Sequence, residues 1–166
     1  MASLENLRVL VCDDNRNMRT VVTALLKGMG ISQVRGAQDG GQALKVLADW
    51  AADVVIVDFR MDPMDGVTFI QKVRRDPDSI NPFLPIIMLT GYSAKGRVLE
   101  ARDSGVTEMM TKPVTAKALA ARLNAVILNP RPFIKTATYF GPDRRRRSDP
   151  EYRGPERRNK GELALD

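Results

Sequence analysis

Three short apolar runs constrain this 166-residue chain more than anything else in it: residues 8–12 (RVLVC), 53–57 (DVVIV) and 85–89 (PIIML). Each is too short for an ordinary helix and rich in branched side chains, so each reads as a strand buried on both faces. Each also stops abruptly at polar residues: Asp13-Asp14, Asp58 and Thr90-Gly91. Between the runs the period changes. Met18, Val21, Val22, Leu25, Leu26 and Met29 recur at helical spacing, with Gly28 and Gly30 as the stop. The same reading predicts a weak strand over 31–37, a helix over 42–50 and, after the turn-rich stretch 59–66, a helix over 67–75. A helix near 94–104, a short strand at 108–110 and a last helix over 115–128 follow. Five strand-then-helix units mean a parallel sheet covered by helices on both faces.

Composition removes much of the chemistry such a sheet could carry. The chain has no histidine, which excludes Ser-His-Asp and Cys-His catalysis, His-ligated zinc and proximal-His haem. Its single cysteine, Cys12, excludes an internal disulfide framework and suits a reducing cytoplasm. No apolar run approaches the ~20 residues that span a bilayer, and no signal-peptide pattern is present, so neither membrane insertion nor export is expected. The remaining chemistry belongs to carboxylates, hydroxyls, Lys, Arg and the backbone.

Ligands of open parallel sheets sit at the carboxyl ends of the strands. The residues standing there are Asp13, Asp14, Asp58, Thr90 and, past the fifth strand, Lys112. Three carboxylates on one rim repel one another and are reconciled most simply by a hard cation such as Mg²⁺, which takes oxygen ligands. Asp58, at the end of the central run, is placed to act as a carboxylate nucleophile toward a phosphoryl group. Mg²⁺, Lys112 and the Thr90 hydroxyl would then neutralise the equatorial oxygens.

In these pieces the chain resembles the receiver domain of bacterial response regulators, the CheY-like family. Cys12-Asp13-Asp14, Val57-Asp58, Met64-Asp65-Gly66, Leu89-Thr90-Gly91 and Lys112-Pro113 occur in order and at family spacing over about residues 5–128. The resemblance implies an α/β, doubly wound (βα)5 fold of the flavodoxin/CheY type with a five-stranded parallel sheet. It also implies a non-enzymatic signalling protein. Asp58 would take a phosphoryl group from a histidine kinase or phosphotransfer protein. Asp13, Asp14, Asp58 and the Arg60 carbonyl would hold Mg²⁺, with Thr90 and Lys112 contacting the phosphate. The chain departs from the family pattern at two places. Asp62 stands where a proline is usual, with Pro63 next, and Met109 replaces an aromatic switch residue, for which Tyr92 is a candidate substitute.

The charge is uneven. Residues 1–129 hold 16 Lys/Arg and 14 Asp/Glu, whereas residues 130–166 hold 10 and 6. Prolines 130, 132, 142, 150 and 155 crowd the same stretch, without apolar periodicity. The sequence therefore divides into a receiver over 1–128 and an Arg/Pro/Gly-rich, mostly irregular extension over 129–166, ordered by a ligand. The extension repeats itself. Tyr139-Phe140-Gly141-Pro142-Asp143-Arg144-Arg145 realigns on Tyr152-Arg153-Gly154-Pro155-Glu156-Arg157-Arg158 with a shift of 13 residues.

Eight of the ten cations past residue 129 are Arg, the planar fork that reads guanine edges and clamps phosphate bidentately. Tyrosine and Arg planes add stacking surfaces. A repeated guanine-and-phosphate reader suits a two-fold symmetric ligand with two guanines and two phosphates, and cyclic di-GMP fits. The predicted contacts are Arg144, Arg145, Arg147, Ser148, Asp149, Tyr152, Arg153, Arg157 and Arg158. The segment 141–158 (GPDRRRRSDPEYRGPERR) resembles the arginine-rich tails of the CheY-like cyclic di-GMP effectors, the Cle proteins. That resemblance implies an intercalated cyclic di-GMP dimer, action at the flagellar motor switch on motility and surface attachment, and recruitment to the flagellated pole. Two other readings stay open at the level of sequence. A phosphorelay shuttle accounts for 1–128 but leaves the repeat unexplained. A nucleic-acid-binding regulator suits the basic tail, which carries no helix-turn-helix pattern.

Overall fold

The computed structural model describes residues 4–91 and 98–143. After a short 3-10 turn, the elements are β1 (Arg8–Cys12), α1 (Arg16–Gly28), β2 (Gln33–Ala37), α2 (Gly40–Asp49), β3 (Val54–Asp58) and α3 (Gly66–Arg75). Then come β4 (Ile86–Thr90), α4 (Val98–Asp103), β5 (Glu108–Thr111), α5 (Ala116–Leu128), β6 (Phe133–Lys135) and β7 (Phe140–Pro142). The five expected strands form one all-parallel sheet in the order β2-β1-β3-β4-β5. Both β3 and β4 are buried along their whole length, as continuous apolar runs between two helical layers require. Among the described residues no helix is long and apolar enough to cross a membrane.

Helix starts are fixed by side chains that cap orphan amides. Asn15 accepts from Asn17 N and Met18 N, Asp39 from Gln42 N, Asp65 from Thr68 N, and Thr115 from Ala118 N. The capping by Asp39 and Asp65 explains why α2 and α3 begin at Gly40 and Gly66, one or two residues before the apolar periodicity does. Two separate cores result, one on each face of the sheet. Leu10, Val55, Val57, Phe69, Ile70, Ile86 and Met88 pack on one, while Val9, Val22, Leu26, Ile56, Ile87, Leu119 and Leu123 pack on the other.

The structure describes the start of the mostly irregular extension, residues 129–143. Residues 129–143, read from sequence as irregular, pack on the α/β domain, and β6 and β7 pair as an antiparallel hairpin. Phe133 and Phe140 join Phe83 in a ring cluster with centroids 5.1–5.6 Å apart. Beneath the hairpin lies Arg74, only 3% exposed. Its Nε donates to Gly105 O, its Nη1 to Pro82 O and Leu84 O, and its Nη2 to Thr107 Oγ1, with Phe133 on its face at 4.9 Å. Burial lowers its pKa to about 9, so the guanidinium is still charged at neutral pH. The adjacent Arg75 donates to Thr138 O. Gly105 holds φ at +105°, and a Cβ there would come within 2.7 Å of Phe140 O, so both conformation and space require glycine.

A chain ended after Asp143 is expected to keep the thermal midpoint of the full-length protein. One ended after Leu128 uncovers Arg74 and Phe83 and strips Phe133, Ile134 and Tyr139. The expected loss is about 2–4 kcal/mol, a fall in Tm on the order of 10 °C. Equal melting curves for the two truncations would show that the hairpin contributes nothing.

A carboxylate rim at the strand ends

The sheet register brings Asp13, Asp58, Thr90 and Lys112 to one rim. Cys12 pairs with Val57, Asp58 with Leu89, and Thr90 with Thr111, so the chain leaves all four strands at nearly one level. Backbone bonds fix each exit: Asp13 N donates to Ala37 O at 3.1 Å, Phe59 N to Leu89 O at 2.9 Å, and Lys112 N to Thr90 O at 2.8 Å. Gly66 is pressed against the other side of Asp58, where a Cβ would collide with the Asp58 carbonyl. Its amide donates to Phe59 O, so α3 starts directly on the end of β3.

The side chains meet as the topology demands. Lys112 Nζ lies 2.9 Å from Asp58 Oδ1 and 3.7 Å from Asp13 Oδ2. Oxygens of Asp13, Asp14 and Asp58 can all lie within 4.8 Å of one another, with Asp13 and Asp58 buried and Asp14 exposed. Asp13 Oδ1 accepts from Asn15 N, while its buried Oδ2 has no hydrogen-bond donor among the described residues. An orphaned carboxylate oxygen beside two further carboxylates is what a hard cation would satisfy. Thr90 is 7% exposed at the same rim, and Arg60 is exposed two residues beyond Asp58.

Burial sets the electrostatics. It pushes the carboxyls of Asp13 and Asp58 above the ordinary aspartate range, against the opposing pull of the Asn15 amide on Asp13 and of Lys112 on Asp58. For Lys112, burial acts to lower the pKa, but the hydrogen bond and charge of Asp58 outweigh it and the net shift is upward. Cys12, beneath the rim, is pushed up to about 12 by burial and then by Asp39, Asp13 and Asp58. Its thiol sits 3.3 Å from Met61 Sδ as neutral packing, so the available nucleophile is a carboxylate.

Met109 is half-buried against the first core, and its carbonyl accepts from Arg122 Nε. Tyr92 lies outside the described residues, as do the predicted ligand contacts Arg144, Arg145, Arg147, Ser148, Asp149, Tyr152, Arg153, Arg157 and Arg158. Sequence reasoning passed over Arg19, whose Nη1 donates to Asp13 O at 2.7 Å and steadies the acid pair from α1. It passed over Arg74 as well, because a basic residue in a last helical turn ordinarily faces water.

The response regulator receiver domain family matches residues 9–124 of the chain. Chemotaxis protein CheY-3 of Vibrio cholerae is 31% identical over 122 residues, 74% of this chain and 92% of that protein. A probable chemotaxis protein CheY of Rhizobium etli is 32% identical over 126 residues, 76% and 96% of the two chains. Among solved structures, Vibrio cholerae CheY4 superposes with a TM-score of 0.66 at 32% identity, covering 73% of this chain and 98% of its own. The family match ends at residue 124, before the hairpin and the tail.

A carboxylate whose pKa is raised in the fold costs stability wherever it is ionised, and that cost fades as falling pH protonates it. Asp13→Asn is therefore expected to raise Tm at pH 7, with the gain shrinking as pH drops through the carboxylate range. The same variant should lose Mg²⁺ affinity by at least about tenfold. Thermal scans at pH 7 and pH 4.5, with and without Mg²⁺, check both. A lower Tm for the variant in metal-free buffer at pH 7 contradicts the electrostatic account.

Proposed function

The chain belongs to the response regulator receiver domain family, and from that premise we propose a phosphorylatable signalling protein of the chemotaxis type whose arginine-rich extension binds cyclic di-GMP. The observation that carries the first half is Lys112 Nζ held 2.9 Å from the carboxylate of Asp58, beside Asp13 and Asp14. In this reading an Asp58 oxygen attacks the phosphorus of a phosphohistidine on a kinase or phosphotransfer protein. The P–N bond breaks, and the imidazole leaves with its electron pair. Asp13, Asp14, Asp58 and the Arg60 carbonyl would hold Mg²⁺, which when bound neutralises the phosphoryl oxygens. Lys112 exchanges part of its contact with Asp58 for the new phosphate, and the Thr90 hydroxyl donates to it. Output then passes by protein contact, with the flagellar motor switch as the partner, in the cytoplasm at the flagellated pole.

The second half rests on the repeated Tyr-x-Gly-Pro-acid-Arg-Arg pattern and on the preference for Arg over Lys. Two Arg pairs 13 residues apart match a ligand with two guanines and two phosphates, taken up as a dimer. Arg144, Arg145, Arg147, Ser148, Asp149, Tyr152, Arg153, Arg157 and Arg158 supply the contacts in this reading.

Acetyl phosphate with Mg²⁺ is expected to add one phosphoryl mass to the wild-type chain and none to Asp58→Asn. Equal labelling of the variant moves the phosphoacceptor elsewhere. For the tail, Arg157→Ala with Arg158→Ala should abolish cyclic di-GMP binding in titration calorimetry. Lysine at the same two positions should weaken it strongly, because the fork is lost while the charge stays. Lysine variants as tight as wild type, or cyclic di-AMP competing equally, would reduce the tail to a polybasic patch.

A further inference from the structure

The five-stranded sheet has two open edges, β2 and β5, and they are finished differently. At β5 the Arg122 guanidinium donates to Met109 O, so a side chain of α5 takes up an edge carbonyl. Among the described residues no side chain does this at β2. There Asp13 N donates to Ala37 O, and the alternation of a parallel ladder then turns Gln33, Arg35 and Ala37 toward β1. The N–H and C=O groups of Val34 and Gly36 are left pointing away from the sheet.

A groove of about 500 Å³ runs between α1 and this edge. Val34, Arg35 and Gly36 all line it. Successive side chains of a strand face opposite ways, so three consecutive residues share one groove only where it follows the open edge. The facing wall carries Arg16, Arg19 and Lys27 of α1, and no carboxylate lines the groove among the described residues. None of these four cations has a carboxylate within ion-pair distance among the described residues. From Arg16 to Lys27 the helix advances about 16 Å, and the five residues of β2 cover about 17 Å, so the row of cations matches the edge in length. Arg35 lies over the Trp50 ring at 4.8 Å, on the face of the sheet opposite α1, so both faces of the edge present positive charge.

We propose that the β2 edge is a docking site for an extended acidic segment of a partner protein, which joins the sheet as a sixth strand. Its backbone pairs with the outward groups of Val34 and Gly36. Its carboxylates, alternating between faces, meet Arg16, Arg19 and Lys27 on one side and Arg35 on the other. Charge sign and the edge carbonyls select this occupant. A second copy of the chain would set four cations against four, which is how charged edges keep identical chains apart. A nucleic-acid backbone brings phosphate oxygens, which the carbonyls of Val34 and Gly36 repel.

The experiment titrates the full-length ¹⁵N-labelled chain with the acetylated decapeptide (Glu-Thr)5, beside (Gln-Thr)5 and a single-stranded oligonucleotide of equal length. The acidic peptide should bind at least about tenfold more tightly than the glutamine peptide at low salt, and weaken as salt rises. It should also slow amide exchange at Val34 and Gly36. Arg16→Gln combined with Lys27→Gln should cost about tenfold in affinity. Gly36→Pro keeps every charge and removes one outward donor, and should also cost about tenfold. A Cβ at Gly36 meets its nearest heavy atom at 3.7 Å, so the site has room for the ring. If Gly36→Pro fails to fold, the exchange of Val34 and Gly36 in wild type decides between strand addition and loose charge contact. Equal binding of the glutamine peptide or the oligonucleotide, or no binding by wild type, overturns the proposal. So does acidic-peptide binding that leaves exchange at Val34 and Gly36 unchanged, the pattern expected from contact with the cations of the extension alone.

Discussion

The ammonium of Lys112 holds together a rim that would otherwise repel itself. Lys112 faces Asp58 at 2.9 Å and Asp13 at 3.7 Å, inside a cluster of three carboxylates of which two are buried. The sheet leaves these acids no way to separate. Parallel register delivers each strand end to the same level, and the backbone bonds of Asp13, Phe59 and Lys112 lock the exits. Burial pushes the carboxyls of Asp13 and Asp58 up, so keeping them ionised costs stability. Sites that trade stability for reactivity in this way are where chemistry is usually found.

The α/β domain was legible because its signals are local and repeated. Five strands, their order of appearance and the polar residues that end them follow from periodicity over windows of five to thirteen residues. The rim then follows from topology, with no further information. The hairpin was illegible for the opposite reason. β6 and β7 have three residues each, too few to show a period, and prolines 130, 132 and 142 read as a linker. What folds this stretch is Phe83, fifty residues upstream of Phe133, and a guanidinium from α3. No local pattern announces such a contact.

Arg74 shows how a buried cation can be kept without a counterion among the described residues. Its guanidinium donates to three backbone carbonyls and one hydroxyl, and a phenyl ring covers its face. Carbonyl dipoles from Pro82, Leu84 and Gly105 stand in for a carboxylate, and a planar five-donor group is the side chain that can engage them together. Lysine could not span the same acceptors. The charge ties the loop before β4, the loop before β5 and the hairpin into one piece, so the part of the chain beyond the family match is joined to the part within it.

Helix α3 begins with Gly66 against the carbonyl of Asp58 and ends with Arg74 and Arg75 bonded to Gly105 and Thr138. Its ten residues make a rod of about 15 Å whose two ends are both clamped. Adding or deleting one residue inside it would turn the far end by about 100° and swing both arginines off their acceptors. The helix is a gauge of fixed length between the carboxylate end of the sheet and the hairpin. Insertions are barred from it, and descendants of this chain can vary the exposed residues of α3 but not its count.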